Sequence, residues 1–82
     1  MSTERLVTES KVCDILSGTF GVDRSLLSST SGPADVPGWD SLGHMTLVAN
    51  LERQFSVRFP VYAIAGLSSV EAIVRELEGL LS

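Results

Sequence analysis

The sequence has little cysteine, little histidine and few basic residues, and each shortage excludes a class of protein. Cys13 is the single cysteine, so the chain can form no internal disulfide, which suits the reducing cytoplasm. One cysteine and one histidine, His44, cannot fill a structural zinc site, and we expect no bound metal. The chain carries 6 basic and 10 acidic residues, without a basic cluster. We therefore expect no binding to nucleic acid.

Long apolar segments are also absent. No run approaches the roughly 20 apolar residues that a membrane-spanning helix needs, and the polar start, MSTERLVTES, has no signal-peptide core. We expect a cytoplasmic protein that does not bind membranes. Its 82 residues suffice for one small domain, which we place over residues 1–82. We further expect a free-standing monomer. So short a chain also leaves too few residues for both a core and a deep catalytic cleft.

Apolar residues recur at helical spacing near the N-terminus and again in the middle of the chain. The first series predicts a helix from Thr3 to Leu16, with Gly18 and Gly21 as stop signals. Its apolar stripe comprises Leu6, Val7, Val12, Cys13, Ile15 and Leu16. The second series predicts a helix from Ser41 to Phe55. Its predicted buried face comprises Leu47, Val48, Leu51 and Phe55, with Leu42 and Met45 extending the apolar surface.

Two more helices are predicted after the second. PVYAIAG predicts a short helix, with Pro60 at its first position and Gly66 as its stop. The final helix begins at SSVE, where Ser68 and Glu71 match a capping box. Its apolar stripe comprises Val70, Ile73, Val74, Leu77, Leu80 and Leu81. Because no strand pattern accompanies these helices, they can bury their stripes only against one another.

A long connection, from about Asp23 to Trp39, separates the first two helices. It is dense in Ser, Gly and Pro, as in SSTSGPADVPGW, which is typical of a loop. We expect Leu26 and Leu27 to anchor it, together with the ring of Trp39. A flexible interdomain linker is the alternative. The predicted fold is all-α: a four-helix bundle with three main helices, one short helix and a long first loop.

Ser41 stands between this loop and the second helix, and three roles are open to it. In the simplest, Asp40 is the helix cap and Ser41 the first helical residue. A nucleophile is disfavoured, because Trp39 replaces the first glycine of a nucleophile elbow and no strand precedes it. We expect His44 to be a solvated helix residue without an orienting partner. The third role is attachment, since the N-terminus of a helix favours an attached phosphate.

The segment DSLGHMTLVANLERQFSVRFP resembles the signature of the acyl carrier protein family. The match comprises DSL and, after it, Leu47, Leu51, Glu52, Phe55 and Pro60. SSVEAIVREL follows at the distance typical of the family, and ILSGTFGV and the long loop precede the signature as expected. The resemblance therefore covers nearly the whole chain. It implies a four-helix bundle with a long first loop.

The resemblance also implies a carrier rather than an enzyme. The serine of the family, here Ser41, accepts 4′-phosphopantetheine from coenzyme A through a Mg²⁺-dependent phosphopantetheinyl transferase. The terminal thiol holds an acyl group as a thioester, and part of the acyl chain is implied to enter the bundle between helices. The implied partners are this transferase and the enzymes that load and process the acyl group, such as an acyltransferase or ligase and a ketosynthase.

The second helix departs from the housekeeping fatty-acid carriers, in which this helix is rich in acids. Only Glu52 and the preceding Asp40 are acidic here, and Arg53 opposes them. Because electrostatic steering to a basic partner should be weak, we interpret the chain as a carrier of a polyketide or another specialised-metabolite pathway. WDSLGHM also resembles carriers of small acyl units such as glyceryl groups. The competing interpretation is an unmodified helical interaction module.

Partner contacts are predicted around Ser41 and along the less clearly buried side of the second helix. The candidates are Asp40, Leu42, Met45, Thr46, Ala49, Glu52 and Arg53. Among them, Leu42 is more strongly expected to pack toward the core. Cys13 is predicted to be a small core residue, and Asp35 a solvated charge in the loop.

Overall fold

The computed structural model describes residues 3–81 and contains four α-helices and one short 3-10 helix over that range. In chain order they are α1 (Thr3–Phe20), the 3-10 helix (Arg24–Leu26), α2 (Ser41–Phe55), α3 (Val61–Ile64) and α4 (Val70–Leu81). α1 packs against both α2 and α4. No strand occurs within the described residues. The predicted all-α bundle, with three main helices, one short helix and a long first loop, is confirmed.

One buried cluster connects the three main helices to the loops between them. The helices contribute Val12, Cys13, Leu16, Leu47, Val48, Leu51, Val70, Ile73, Val74 and Leu77. The loops contribute Val36, Trp39, Phe59 and Leu67. The burial of Val36 and Trp39 fixes the long loop to the core, so the loop does not behave as a free linker. Leu27 also packs against the cluster, whereas Leu26 is 77% exposed and does not anchor the loop as predicted.

α1 ends later than predicted, at Phe20 instead of Leu16. Gly18 lies inside the helix and does not stop it. Gly21 does, because its backbone takes the left-handed conformation, with φ at +66°, and its N–H donates to the carbonyl of Ser17 at 2.9 Å. The extra turn brings the ring of Phe20 to the loop that precedes α2, where it stacks on Trp39.

The N-terminal cap of α4 differs from the predicted capping box. Ser69, not Ser68, precedes the helix, and its hydroxyl accepts the N–H of Ala72 at 3.0 Å. The backbone N–H of Glu71 donates to the carbonyl of Ser29 at 2.8 Å, and not to the hydroxyl of Ser68 as the capping box predicts. The prediction was wrong because the acceptor of the Glu71 N–H, the carbonyl of Ser29, belongs to a distant loop, which a local motif cannot reveal.

The long loop covers the start of α4. The N–H of Val70 donates to the carbonyl of Ser31 at 3.0 Å, beside the bond from Glu71 to Ser29. Ser31 is itself buried, and its hydroxyl accepts the N–H of Ser28 at 2.9 Å. The loop therefore satisfies two of the N–H groups that a helix N-terminus otherwise leaves without partners.

The predicted apolar stripes extend beyond the core at the ends of the helices. Four stripe residues, Leu6, Val7, Leu80 and Leu81, are 37–50% exposed, contrary to the prediction. They lie at the start of α1 and the end of α4, which so small a bundle leaves partly uncovered. The ion pair between Arg5 and Glu78, at 2.6 Å, joins these two ends. Pro60 is the cap of α3 rather than its first residue, so α3 begins one residue later than predicted, at Val61.

Candidate functional site

Ser41 is the first residue of α2, and Asp40 before it is the cap of that helix. The Asp40 carboxylate accepts the N–H of Gly43 at 2.8 Å, and its backbone carbonyl accepts the N–H of His44 at 2.7 Å. Both Asp40 and Ser41 are exposed. The predicted cap and the predicted bounds of α2 are confirmed. Ser41 therefore presents its hydroxyl to solvent from a fixed helix start.

Gly43 holds the loop in place against the first turn of α2. A Cβ atom on Gly43 would lie 2.0 Å from the carbonyl oxygen of Gly38 and 2.9 Å from the ring of Phe20. No side chain fits in that space, and Gly38 itself has a φ of +90°. The loop can cross the helix this closely only because both residues are glycine. This crossing determines where Asp40 and Ser41 are placed.

Three rings stack beside Ser41. Phe20 and Trp39 have ring centroids 5.9 Å apart, and Trp39 and His44 have centroids 6.2 Å apart, with near-parallel planes in both pairs. Trp39 is 4% exposed, so the predicted anchoring of the loop by this ring is confirmed. The stack joins the last turn of α1, the loop and the first turn of α2.

His44 is not the solvated residue that the sequence led us to expect. It is half-buried, and both ring nitrogens have partners: Trp39 Nε1 donates to His44 Nδ1 at 2.9 Å, and His44 Nε2 lies 2.8 Å from the carbonyl oxygen of Ile64. Since Nδ1 accepts, Nε2 carries the proton and donates to Ile64. Neither nitrogen is left to take a proton from Ser41, which argues against a serine hydrolase.

The helical spacing of His44 is itself an indication of burial. His44 precedes Leu47, Val48 and Leu51 by three, four and seven positions, which is the spacing of one buried helix face. Leu42 does not have this spacing. Correspondingly, Leu42 is 80% exposed, so the expectation that it packs toward the core is wrong.

A groove of about 650 Å³ begins at Ser41 and runs between the start of α2 and the α3 segment. Its walls are mainly apolar and comprise Pro33, Trp39, Asp40, Ser41, His44, Met45, Val61, Ile64, Ala65 and Ser68. This volume is within the range of small-molecule binding sites. A flexible group bound to the Ser41 hydroxyl can therefore lie along a preformed apolar surface.

The two helices that border this groove carry exposed apolar side chains. Leu42 and Met45 project from α2, and Val61 and Tyr62 project from α3. The α3 pair was not among the predicted partner contacts, although it follows Pro60 directly in the sequence. Large apolar side chains grouped on a surface often mark a protein contact. The face around Ser41 is thus apolar rather than acidic.

The other predicted contact residues differ in how free their side chains are. Thr46 and Ala49 are exposed on α2. The Glu52 carboxylate accepts the backbone N–H of Phe59 at 2.8 Å and so ties the α2–α3 connection to α2. Arg53 donates to the side-chain carbonyl of Asn50 at 2.5 Å. Both charged residues of this set make contacts inside the molecule.

The chemistry-bearing side chains away from the groove are structural. Cys13 is buried in the core as predicted, and burial raises the pKa of its thiol. Asp35 accepts the N–H of Gly32 at 3.1 Å within the long loop. Among residues 3–81, no three His, Cys, Asp or Glu side chains group as ligands of a metal. Over the same range, no helix has the length and apolar character to cross a bilayer.

Comparisons with known proteins agree with this geometry. The model of the phosphopantetheine attachment site family matches residues 10–77. The solution NMR structure of a holo acyl carrier protein from Geobacter metallireducens is similar, with a TM-score of 0.80 and 26% sequence identity. That match covers 90% of this chain and 85% of the Geobacter chain. The chain therefore belongs to the family of acyl carrier proteins, which hold 4′-phosphopantetheine covalently and act as carriers rather than as catalysts.

Proposed function

We propose that Ser41 is the residue to which 4′-phosphopantetheine is attached. The observation that carries this proposal is the position of the Ser41 hydroxyl, exposed at the first position of α2 and at the start of the apolar groove. The family match includes this position. Ser68 is a second exposed serine on the groove, but it lies outside any helix and does not cap α4. It therefore serves as the natural control.

The residues around Ser41 fit the proposed group. The first N–H groups of α2 and the helix dipole favour a phosphodiester at this end of the helix. The groove offers the apolar walls of Met45, Val61 and Ile64 to the arm beyond the phosphate. Asp40 keeps its carboxylate on the N–H of Gly43 and so fixes the helix start that carries Ser41.

The chain itself contributes placement rather than reactivity. The partner transferase activates Ser41, whose oxygen attacks the pyrophosphate of coenzyme A, loses its proton and displaces the adenosine bisphosphate half. The attached group supplies a terminal thiol that holds acyl groups as thioesters. Because the arm is tethered to Ser41, the cargo stays at high local concentration near enzymes that dock on this face.

The partner surface proposed here is the exposed side of α2 together with the predicted contacts Asp40, Leu42, Met45, Thr46, Ala49, Glu52 and Arg53. The exposed residues Val61 and Tyr62 extend it onto α3. The partners are the transferase and the loading and processing enzymes, an acyltransferase or ligase and a ketosynthase. Their docking should depend more on apolar contact than on charge, and therefore only weakly on salt.

The pathway we infer is polyketide or other specialised-metabolite biosynthesis. Two features support it: the surface near Ser41 is apolar, and Glu52 is engaged with the backbone of Phe59. A carrier that must meet many basic partners benefits from free acids on this helix, whereas a dedicated partner can recognise a specific apolar shape. We further propose that residues 1–82 act as one carrier domain, monomeric and cytoplasmic.

The test is an intact-mass measurement of the protein incubated with a promiscuous phosphopantetheinyl transferase, coenzyme A and Mg²⁺. The parent and Ser68→Ala should each gain one phosphopantetheine, and Ser41→Ala should gain none while keeping its helical circular dichroism spectrum. Equal modification of Ser41→Ala would contradict the proposal. If the folded parent stays unmodified by its cognate transferase as well, the chain acts as an unmodified interaction module instead.

A further inference from the structure

Three residues that line the groove at Ser41 also border the core. Trp39 belongs to the buried cluster, and Ile64 packs against that cluster. His44 lies on the same helix face as Leu47 and Leu51, both of which are fully buried. Trp39, His44 and Ile64 therefore form the floor of the groove, with the interior of the bundle behind them.

Two hydrogen bonds close this floor. Trp39 Nε1 donates to His44 Nδ1, and His44 Nε2 donates to the carbonyl of Ile64, at 2.9 and 2.8 Å. Because Ile64 is the last residue of α3, the bonds tie the long loop, α2 and α3 together. The stacked ring of Phe20 extends the same wall toward α1.

Behind the floor the interior is filled with packed side chains. Leu47, Leu67 and Ile73 are each at most 1% exposed. An alkyl chain that passed the floor would have to displace such side chains and separate Trp39 and Ile64 from His44. Their N–H and C=O groups would then lose their partners at a mainly apolar site, which is unfavourable. The open groove imposes neither cost.

We propose that His44 is a specificity-determining latch, which with Trp39 and Ile64 keeps the cargo in the surface groove and suits this carrier to short acyl groups. The inference rests on attachment at Ser41, as proposed above. For this chain it replaces the expectation that part of the acyl chain enters the bundle. His44 acts through its two hydrogen bonds and not on the reacting thioester, so it is a positioning residue.

Methyl NMR of the loaded protein tests the latch directly. The parent is loaded from acetyl- or octanoyl-coenzyme A with the promiscuous transferase, and intact mass verifies each sample. The methyl groups of Val61, Ile64 and Met45 report on the groove, and those of Leu47, Leu67 and Ile73 report on the interior. Replacing acetyl by octanoyl should shift the groove methyls and leave the interior methyls within the spread of repeated samples.

Variants of His44 separate the latch from general stability. In His44→Ala, octanoyl loading should shift the interior methyls as well. His44→Gln should restore the parent pattern, because the glutamine amide offers one acceptor and one donor group. Octanoyl-induced shifts of the interior methyls in the parent would overturn the inference, and the parent alone decides this if His44→Ala fails to fold. Absence of any mass gain with the promiscuous and the cognate transferase alike would instead overturn attachment itself, and the latch with it.

Discussion

Two helices of this molecule begin beside a serine, yet their N-termini have opposite surroundings. α4 begins under the long loop, where the hydroxyl of Ser69 and the carbonyls of Ser29 and Ser31 accept its first N–H groups. α2 begins at the surface, capped by its own neighbour Asp40, and leaves Ser41 exposed. The sequences SSVE and DSLG do not display this difference, because it depends on what the rest of the chain places over each end.

The comparison shows what distinguishes a structural serine from a serine available for modification. Both helix ends carry the same dipole and the same kind of N–H groups. At α4 the fold has already used them, so that end contributes only stability. At α2 the cap uses Asp40, and the loop passes to one side over Gly43. The Ser41 hydroxyl and the groove beside it therefore stay accessible.

The largest expected effect comes from adding a side chain at Gly43, where the long loop crosses the first turn of α2. In Gly43→Ala, the new methyl group would overlap the carbonyl of Gly38, so the loop must move. We expect a loss of about 2 kcal/mol in the free energy of unfolding by overpacking, together with slower modification of Ser41. Urea unfolding and timed intact-mass measurements check the two effects.

Gly18→Ala is the matched control for that substitution. Gly18 also lies in a helix, but a Cβ atom there would meet nothing within 4 Å. Alanine should therefore stabilise α1 by up to about 1 kcal/mol through its helix propensity. A stabilising effect of both substitutions would show that the crossing at Gly43 is not tight.

A smaller effect is expected from removing the cap of either helix. Asp40→Ala and Ser69→Ala should each lower the free energy of unfolding by about 1 kcal/mol, since each loses one capping hydrogen bond. Only Asp40→Ala should also slow the modification of Ser41, because only this cap fixes the start of α2. Equal loading rates in the two variants would show that the cap does not position Ser41.

The smallest effect is expected at Ser68. Because its neighbour Ser69 makes the capping bond to Ala72, Ser68→Ala should change the free energy of unfolding by less than about 0.5 kcal/mol. The ratio of the Ser68→Ala and Ser69→Ala effects, measured in the same urea series, locates the cap. A larger loss in the free energy of unfolding for Ser68→Ala would indicate that Ser68 caps α4, as the predicted capping box requires.

Local features of the fold were predictable, and contacts between distant segments were not. The bounds of α2, the Asp40 cap and the burial of Trp39 follow from neighbouring residues. The α4 cap was predicted wrongly because the carbonyls of Ser29 and Ser31, which accept the first N–H groups of α4, belong to a loop that is distant in sequence. His44 was placed in solvent because its acceptor, the carbonyl of Ile64, lies on another helix, although its spacing with Leu47 indicated burial.

The same limit applies to the site. Ser41 was predictable because the surrounding motif is contiguous in sequence. The groove was not, since it forms only when residues 33–45 meet residues 61–68. The exposed pair Val61 and Tyr62 was missed for the same reason, because the short α3 helix has no stripe of its own from which an outer face could be inferred.

The most direct test of attachment at Ser41 is to locate the modification in the unmutated protein. The chain is loaded with phosphopantetheine, digested, and mapped by tandem mass spectrometry. We expect the added group on Ser41, with Ser68 and Ser69 unmodified. Phosphopantetheine on either of those serines, with Ser41 unmodified, would contradict attachment at Ser41.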